Sequence, residues 1–283
     1  MKVGIVGLGL IGGSAAKAYK AAGHTLYACD INASIVDFAI IEGVVDAHLD
    51  EKSIAECDLI LLTATPQAVI SYVEENARYV PKSALVMDFC GTKRRVCDVG
   101  FALSLEHGFT YVGAHPMAGL QYSGYKYSRA NLFTGASLIL VPPVHDDISI
   151  LDRVKQSVQP LMFKKFVVTT AAFHDRMMAY TSQMCHVVSN AFVKSTSSQY
   201  HRGYSAGSFR DLTRVARLNE AMWTELFIEN KENLLDELDQ LIKSLGEYRT
   251  AIAAEDSEVL LQWVREWVRR ALLRLQLLEE WEW

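Results

Sequence analysis

Cysteine is scarce in this sequence, and none of it forms a recognisable pair. Five cysteines (Cys29, Cys57, Cys90, Cys97 and Cys185) are scattered over 283 residues without a C-x-x-C spacing, which argues against a disulfide framework, a zinc ribbon or a redox motif. They read as reduced thiols of a cytoplasmic protein. Proline is equally thin at six residues, its one adjacent pair, Pro142-Pro143, closing a predicted strand. Long apolar runs are missing too. One long uncharged stretch, residues 177–193, contains Thr, Ser, Gln, His and Asn, so no bilayer span is expected. An excess of basic residues is also lacking: 28 Lys and Arg against 33 Asp and Glu leave a net charge of −5, which excludes the footprint of a nucleic-acid binder. The chain opens on Met1-Lys2 and passes directly into Val3-Gly4-Ile5-Val6 without a secretory leader pattern. Its eight histidines show no metal-ligand spacing, so no metal is expected.

What is present is a core. Half the residues are hydrophobic and 22% are charged, enough for one large globular core or two modest ones. Short β-branched runs at 2–6, 25–29, 59–63, 84–88, 111–114, 137–141 and 165–169 alternate with helical stretches such as 12–22 and 148–161. That alternation predicts an α/β fold with a doubly wound parallel sheet covered on both faces. From Ala171 onward the strand-like runs stop and long helical patterns follow, so the expected division is a domain of residues 1–169 and an all-α domain of residues 170–283. In the last segment Leu260, Trp263, Val264, Trp267, Val268, Ala271, Leu272, Leu275 and Leu278 recur at helical spacing. The stripe fits either the core of the helical half or a dimer seam.

Gly7-Leu8-Gly9-Leu10-Ile11-Gly12 follows the first strand and opens a helix, the context in which a G-x-G-x-x-G pattern binds a dinucleotide. The glycines permit a tight turn and close approach of a pyrophosphate to the amides of a helix N-terminus. Asp30 ends the second strand 18 residues after Gly12, where a carboxylate accepts hydrogen bonds from a ribose diol and repels a 2′-phosphate. The expected cofactor is therefore NAD rather than NADP. Thr63, Ala64 and Thr65, after the strand at 59–63, would border it, because ligands in such sheets lie beyond the carboxyl ends of strands.

Two further segments, Asp88 to Lys93 and Ala114 to Gly119, also follow strands and should share that crevice. His115 is the first candidate for acid/base work, since imidazole titrates nearest neutral pH; a structural histidine is the plain alternative. Ser182, His186 and Asn190 are spaced four apart on one predicted helix face, which equally fits a hydrogen-bonded core histidine. Ser208 reads as a helix N-cap, with Asp211 placed to orient Arg214. Spacing alone does not nominate that arginine.

Together these segments resemble the prephenate and arogenate dehydrogenases of tyrosine biosynthesis. The resemblance rests on Gly7 to Ser14, Asp30, Asp88 to Lys93, His115-Pro116-Met117-Ala118-Gly119 with Ser123-Gly124, His174-Asp175 with His186 twelve residues on, and Phe209 to Arg214. It implies a Rossmann-type domain followed by a helical dimerisation domain, a homodimer, and an active site in the cleft. It further implies that His115 takes the proton of the substrate's ring hydroxyl during an NAD-dependent oxidative decarboxylation, that Arg214 binds a substrate carboxylate, and that His186 orients the substrate. Gly91 stands where many members carry serine, so Thr92 is expected to supply the hydroxyl. Leu120-Gln121 replaces a common Thr-Glu and leaves neutral Gln121 at the pocket rim, a mild argument for prephenate over arogenate with its ammonium. A chorismate mutase module or an appended regulatory domain would need more chain than is present, so a monofunctional enzyme is expected. The competing readings are a two-domain dehydrogenase of β-hydroxy acids or imines, which usually relies on a helix lysine in a matching motif, whereas the one lysine between Ala171 and Ser195, Lys194, sits at the wrong end of its predicted helix, and a non-catalytic dinucleotide-binding module.

Overall fold

A computed structural model describes the backbone of residues 1–120 and 122–279, and the side chains of these up to residue 270. The first part alternates β1 (Lys2–Val6), α1 (Leu10–Ala21), β2 (Thr25–Cys29), α2 (Ala33–Ile41), β3 (Ala47–His48), α3 (Glu51–Ile54), β4 (Leu59–Leu62), α4 (Pro66–Asn76), β5 (Leu85–Asp88), α5 (Arg94–His107), β6 (Thr110–Pro116), β7 (Ser137–Val141), α6 (Ile148–Ser157) and β8 (Lys165–Val168). The eight strands form one sheet in the order β3-β2-β1-β4-β5-β6-β7-β8. Its first six positions have the doubly wound order of a Rossmann fold.

The sequence dictates this burial. β4 reads Leu-Ile-Leu-Leu and is buried throughout, as expected of a parallel strand covered on both faces. Successive side chains point to opposite faces. Leu59, Leu61, Leu85 and Met87 accordingly join Ala15, Ala16 and Tyr19 of α1 in one core, while Ile60, Leu62 and Val86 join Val69, Ile70 and Val73 of α4 and Val96 of α5 in the other. Each fully buried leucine contributes roughly 1.5–3 kcal/mol.

The expected all-parallel sheet needs one correction. β6 and β7 pair antiparallel, His115 opposite Ile139, whereas β7 and β8 are parallel again. A parallel neighbour would need a crossover back to the far end of the sheet. Among its described residues the segment between β6 and β7 contains no such helix, only a short 3-10 turn at Tyr125–Tyr127. It stays at the carboxyl rim and packs on α1, where a Cβ at Gly13 would lie 2.7 Å from the Tyr125 ring.

After β8 every described element is helical: α7 (Ala171–Met178), α8 (Met184–Val193), α9 (Gly207–Thr213), α10 (Glu220–Glu229), α11 (Lys231–Ala253) and α12 (Ser257–Glu279). A π-helical turn, Ala179–Gln183, joins α7 to α8, a feature that often marks functional sites. Backbone packing divides the chain into two compact units, Met1–Leu234 and Leu235–Trp283. Within the second, Tyr248 of α11 meets Trp263 of α12 edge to face at 5.2 Å. Of the stripe, Leu260 and Trp263 are half-buried while Val264, Trp267 and Val268 stay exposed, as do Ile242, Leu245 and Leu261 beside it, so its described part is only partly covered within this chain. Ala271, Leu272, Leu275 and Leu278 fall outside the described side chains.

Candidate active site

At the carboxyl edge of the sheet, Gly7 has φ +89°, a conformation that glycine adopts without strain. A Cβ at Gly12 would fall 1.9 Å from the Gly7 carbonyl, so the loop and the first turn of α1 can approach only because that side chain is absent. Gly9 is the N-cap of α1 and offers no capping side chain, and the space around its would-be Cβ is open. The first-turn amides of Leu10 and Ile11 are therefore presented bare. Asp30 is fixed by the amides of Leu8 (2.7 Å) and Asn32 (2.9 Å), with lone pairs left for a diol. The Thr63 hydroxyl lies 2.6 Å from the Gly7 carbonyl and 3.0 Å from that of Val6. It ties the glycine loop down rather than pointing away from it. Ala64 abuts Gly7 from the same side, and Thr65 precedes α4.

His115 lies near the end of β6, partly open to solvent. Its Nδ1 is 2.9 Å from Nε2 of His174 on α7, and Nδ1 of His174 is 2.8 Å from Asp175 Oδ1. Asp175 also accepts the amides of Lys93 (2.7 Å) and Arg94 (2.9 Å) at the start of α5. Burial pushes the His115 pKa well below the ordinary 6.5, with His174 and the Lys93 ammonium acting the same way. Burial lowers His174 as well, outweighing its bond to Asp175. Burial alone would raise Asp175, but the bonds from His174 and the two amides hold it below the usual carboxylate range. Behind this row Lys93, fully buried, pairs with fully buried Asp88, which also accepts the Tyr111 hydroxyl at 3.0 Å. Removing one partner of such a pair typically costs about 3–5 kcal/mol.

A second cluster forms around α8 and α9. Nδ1 of His186 is 2.9 Å from the Val215 carbonyl, and Asn190 Nδ2 donates to that of Ala216 at 3.3 Å. The His186 ring packs on Trp223, centroids 3.9 Å apart. Burial lowers its pKa, the Val215 carbonyl opposes, and the nearby Arg214 guanidinium lowers it further. The Arg214 guanidinium is exposed and has no hydrogen-bond or ion-pair partner among the described residues; only its backbone amide is bonded, to the Arg210 carbonyl at 2.9 Å. The expected face of three residues is reduced to His186 and Asn190, because the π-helical turn takes in Ser182. Ser208 is not the N-cap of α9, which starts at Gly207 with Ala206, two residues before Ser208, in that position. Asp211 makes no bond to Arg214 among the described contacts, so it does not orient the arginine as expected.

The element that sequence reading missed is α10. Its Trp223 covers His186, its Leu226 packs against the bare Cα of Gly91, and its Glu225 accepts the Gln67 amide at the start of α4 at 2.7 Å. Thr92 donates to Glu229 at 2.6 Å; its hydroxyl is committed there rather than to His115. Gln121 lies outside the described residues.

A family profile described as the nucleotide-binding domain of prephenate dehydrogenase matches residues 15–165, and one described as its dimerization domain matches residues 170–266. The chain belongs to the prephenate dehydrogenase family. It is 29% identical to prephenate dehydrogenase of Bacillus subtilis over 92% of this chain and 72% of that protein. It is 30% identical to cyclohexadienyl dehydrogenase of Zymomonas mobilis over 93% and 92%. Among solved structures, prephenate dehydrogenase from A. aeolicus in complex with hydroxyphenyl propionate and NAD+ superposes with a TM-score of 0.83 at 27% identity, covering 97% of this chain and 98% of that one. Family membership thus joins the glycine cradle and the two histidine clusters in one enzyme class. Two signals for α10 were visible in the sequence: Asn219 as an N-cap, bonded to the Met222 amide at 3.0 Å, and Trp223, Leu226 and Asn230 at helical spacing.

Proposed function

We propose that this protein oxidatively decarboxylates prephenate to 4-hydroxyphenylpyruvate with NAD, and that His115 is its base. The observation that carries the reading is the pairing of His115 Nδ1 with His174, which leaves Nε2 as the nitrogen available to a substrate hydroxyl, on a strand end beside a dinucleotide cradle. The cradle fits NAD: open space at Gly9, uncapped amides at the start of α1 and the anchored Asp30 carboxylate match a pyrophosphate and a ribose diol. Gly7, Gly9, Leu10, Ile11, Gly12 and Asp30 would hold it, with Ala64 and Thr65 at its edge. NAD supplies the electrophilic carbon that accepts the hydride.

His115 accepts the ring hydroxyl proton as hydride leaves the same carbon. Loss of CO2 from the opposite ring carbon returns an electron pair and aromatises the ring, and His115 gives the proton back to the phenolate oxygen. Arg214, free of protein acids, pairs with a substrate carboxylate; a planar, permanently charged fork suits a dianion in a protein of net charge −5. His186 orients the substrate, and Thr92 acts through Glu229, to which its hydroxyl is bonded. The functional division is residues 1–169 for the cofactor and 170–283 for substrate and dimerisation.

The exposed apolar side chains of α11 and α12 support a homodimer, and the free cysteines support a cytoplasmic location. No helix among the described residues is long and apolar enough to cross a membrane. The cyclohexadienyl dehydrogenase relative favours arogenate as a second substrate. NADH formation followed by its absorbance with each substrate tests the proposal. Turnover of prephenate is expected to dominate; no NADH with either substrate overturns the function, and equal efficiency overturns the preference.

A further inference from the structure

The base of this site is aligned by another histidine. We propose that His174, held by Asp175, is a positioning residue that fixes the tautomer of His115, so that Nδ1 carries the hydrogen and Nε2 is the acceptor turned to the substrate. The inference rests on the reading of His115 as the base. Its argument starts at Asp175. That carboxylate already accepts two backbone amides, from Lys93 and Arg94, and lies 3.4 Å from Nε of Arg94. Three donors around an acid keep it ionised, so the hydrogen in its bond to His174 sits on His174 Nδ1.

Neutral His174 then has a lone pair at Nε2, and the only hydrogen that can fill the 2.9 Å contact to His115 belongs to His115 Nδ1. The charged groups facing the pair are the Lys93 ammonium, Asp88 and Asp175. The buried ammonium disfavours a second positive charge on either ring, which keeps the row neutral and directional. Among the described residues no hydroxyl is bonded to His115: position 91 is glycine, its open side filled by Leu226, and Thr92 is bonded to Glu229. The alignment therefore comes from α7, a segment outside the sheet that carries the base. Asp175 makes the arrangement rigid, because it simultaneously caps α5.

Two experiments test this. In the 15N spectrum of the intact enzyme near neutral pH, His115 should show a protonated, pyrrole-like Nδ1 and a pyridine-like Nε2, and His174 likewise. A neutral His115 carrying its hydrogen on Nε2 overturns the proposal without any variant. In kinetics, His174→Leu should lower kcat about 100-fold with KM changed less than about threefold, the part of general-base catalysis that alignment provides. His174→Gln, whose side-chain oxygen can accept the His115 hydrogen, should recover to within about tenfold of the parent. A folded His174→Leu enzyme with parental kcat, or a folded His174→Gln enzyme no better than the leucine variant, overturns it. Loss of fold in the leucine variant leaves the spectrum decisive. Should His115→Asn retain turnover, the base assignment falls on its own, while the spectrum still judges the alignment.

Discussion

Around His115 the neighbours are buried and spoken for: His174, Asp175, Lys93 and Asp88 are all at most 2% exposed, and each has a defined partner. Around His186 the surroundings are open, and the nearby Arg214 is an exposed guanidinium with no protein partner among the described residues. The contrast fits the two tasks proposed for these residues. Proton transfer needs a base whose hydrogen is assigned in advance and whose charge is suppressed by desolvation. Capture of an anion needs a cation that has not already been neutralised by its own protein.

The sharpest way to break the comparison is at the base. His115→Asn should lower kcat roughly 10³-fold while NAD still quenches intrinsic fluorescence with parental affinity; loss of both together would mean that the residue serves the fold instead. Next in size, Arg214→Gln should raise KM for prephenate about 10- to 100-fold, the loss of a charge-assisted fork, and Arg214→Lys should restore only part of it. A change confined to kcat would place the arginine in the wrong role. A smaller effect is expected at Asp30: Asp30→Asn should raise KM for NAD about tenfold and narrow the discrimination against NADP. Unchanged cofactor kinetics would remove Asp30 from the cradle.

The smallest effect is on stability. His115, His174 and His186 all have pKa values below the ordinary 6.5 in the folded protein, so below about pH 6.5 the unfolded chain binds more protons than the folded one. Their contribution is complete above that pH and is lost as pH falls beneath it. The melting temperature should therefore drop between about pH 7 and 5.5, and His174→Gln should flatten the slope; a flat parental profile would show that these rings are not held neutral.

Much of the sheet was legible because its strands are near-continuous apolar runs: β1, β2 and β7 fall at the expected residues. β3 was not, since two exposed residues, Ala47 and His48, carry no periodicity. The direction of β7 was hidden for a different reason. Strand propensity reports that a segment is extended, whereas its polarity depends on where the preceding loop turns back. In the site, Gly7, Gly12 and Asp30 could be read from a local motif with a geometric rationale. Pairing of His115 with His174 spans 59 positions and no local pattern encodes it. Thr92 was misjudged because its partner, Glu229, lies 137 positions away on a helix that sequence reading had not singled out.

The helix starts along the carboxyl rim are not equivalent. Asn32 covers that of α2, Glu225 that of α4 and Asp175 that of α5, each with a side-chain oxygen on an amide. Only α1 begins at a residue that has no side chain to place there. A diphosphate arriving at this edge consequently finds one unclaimed address among the described helix starts, and the carboxylates of Glu225 and Asp175 on two of the others repel it toward that spot.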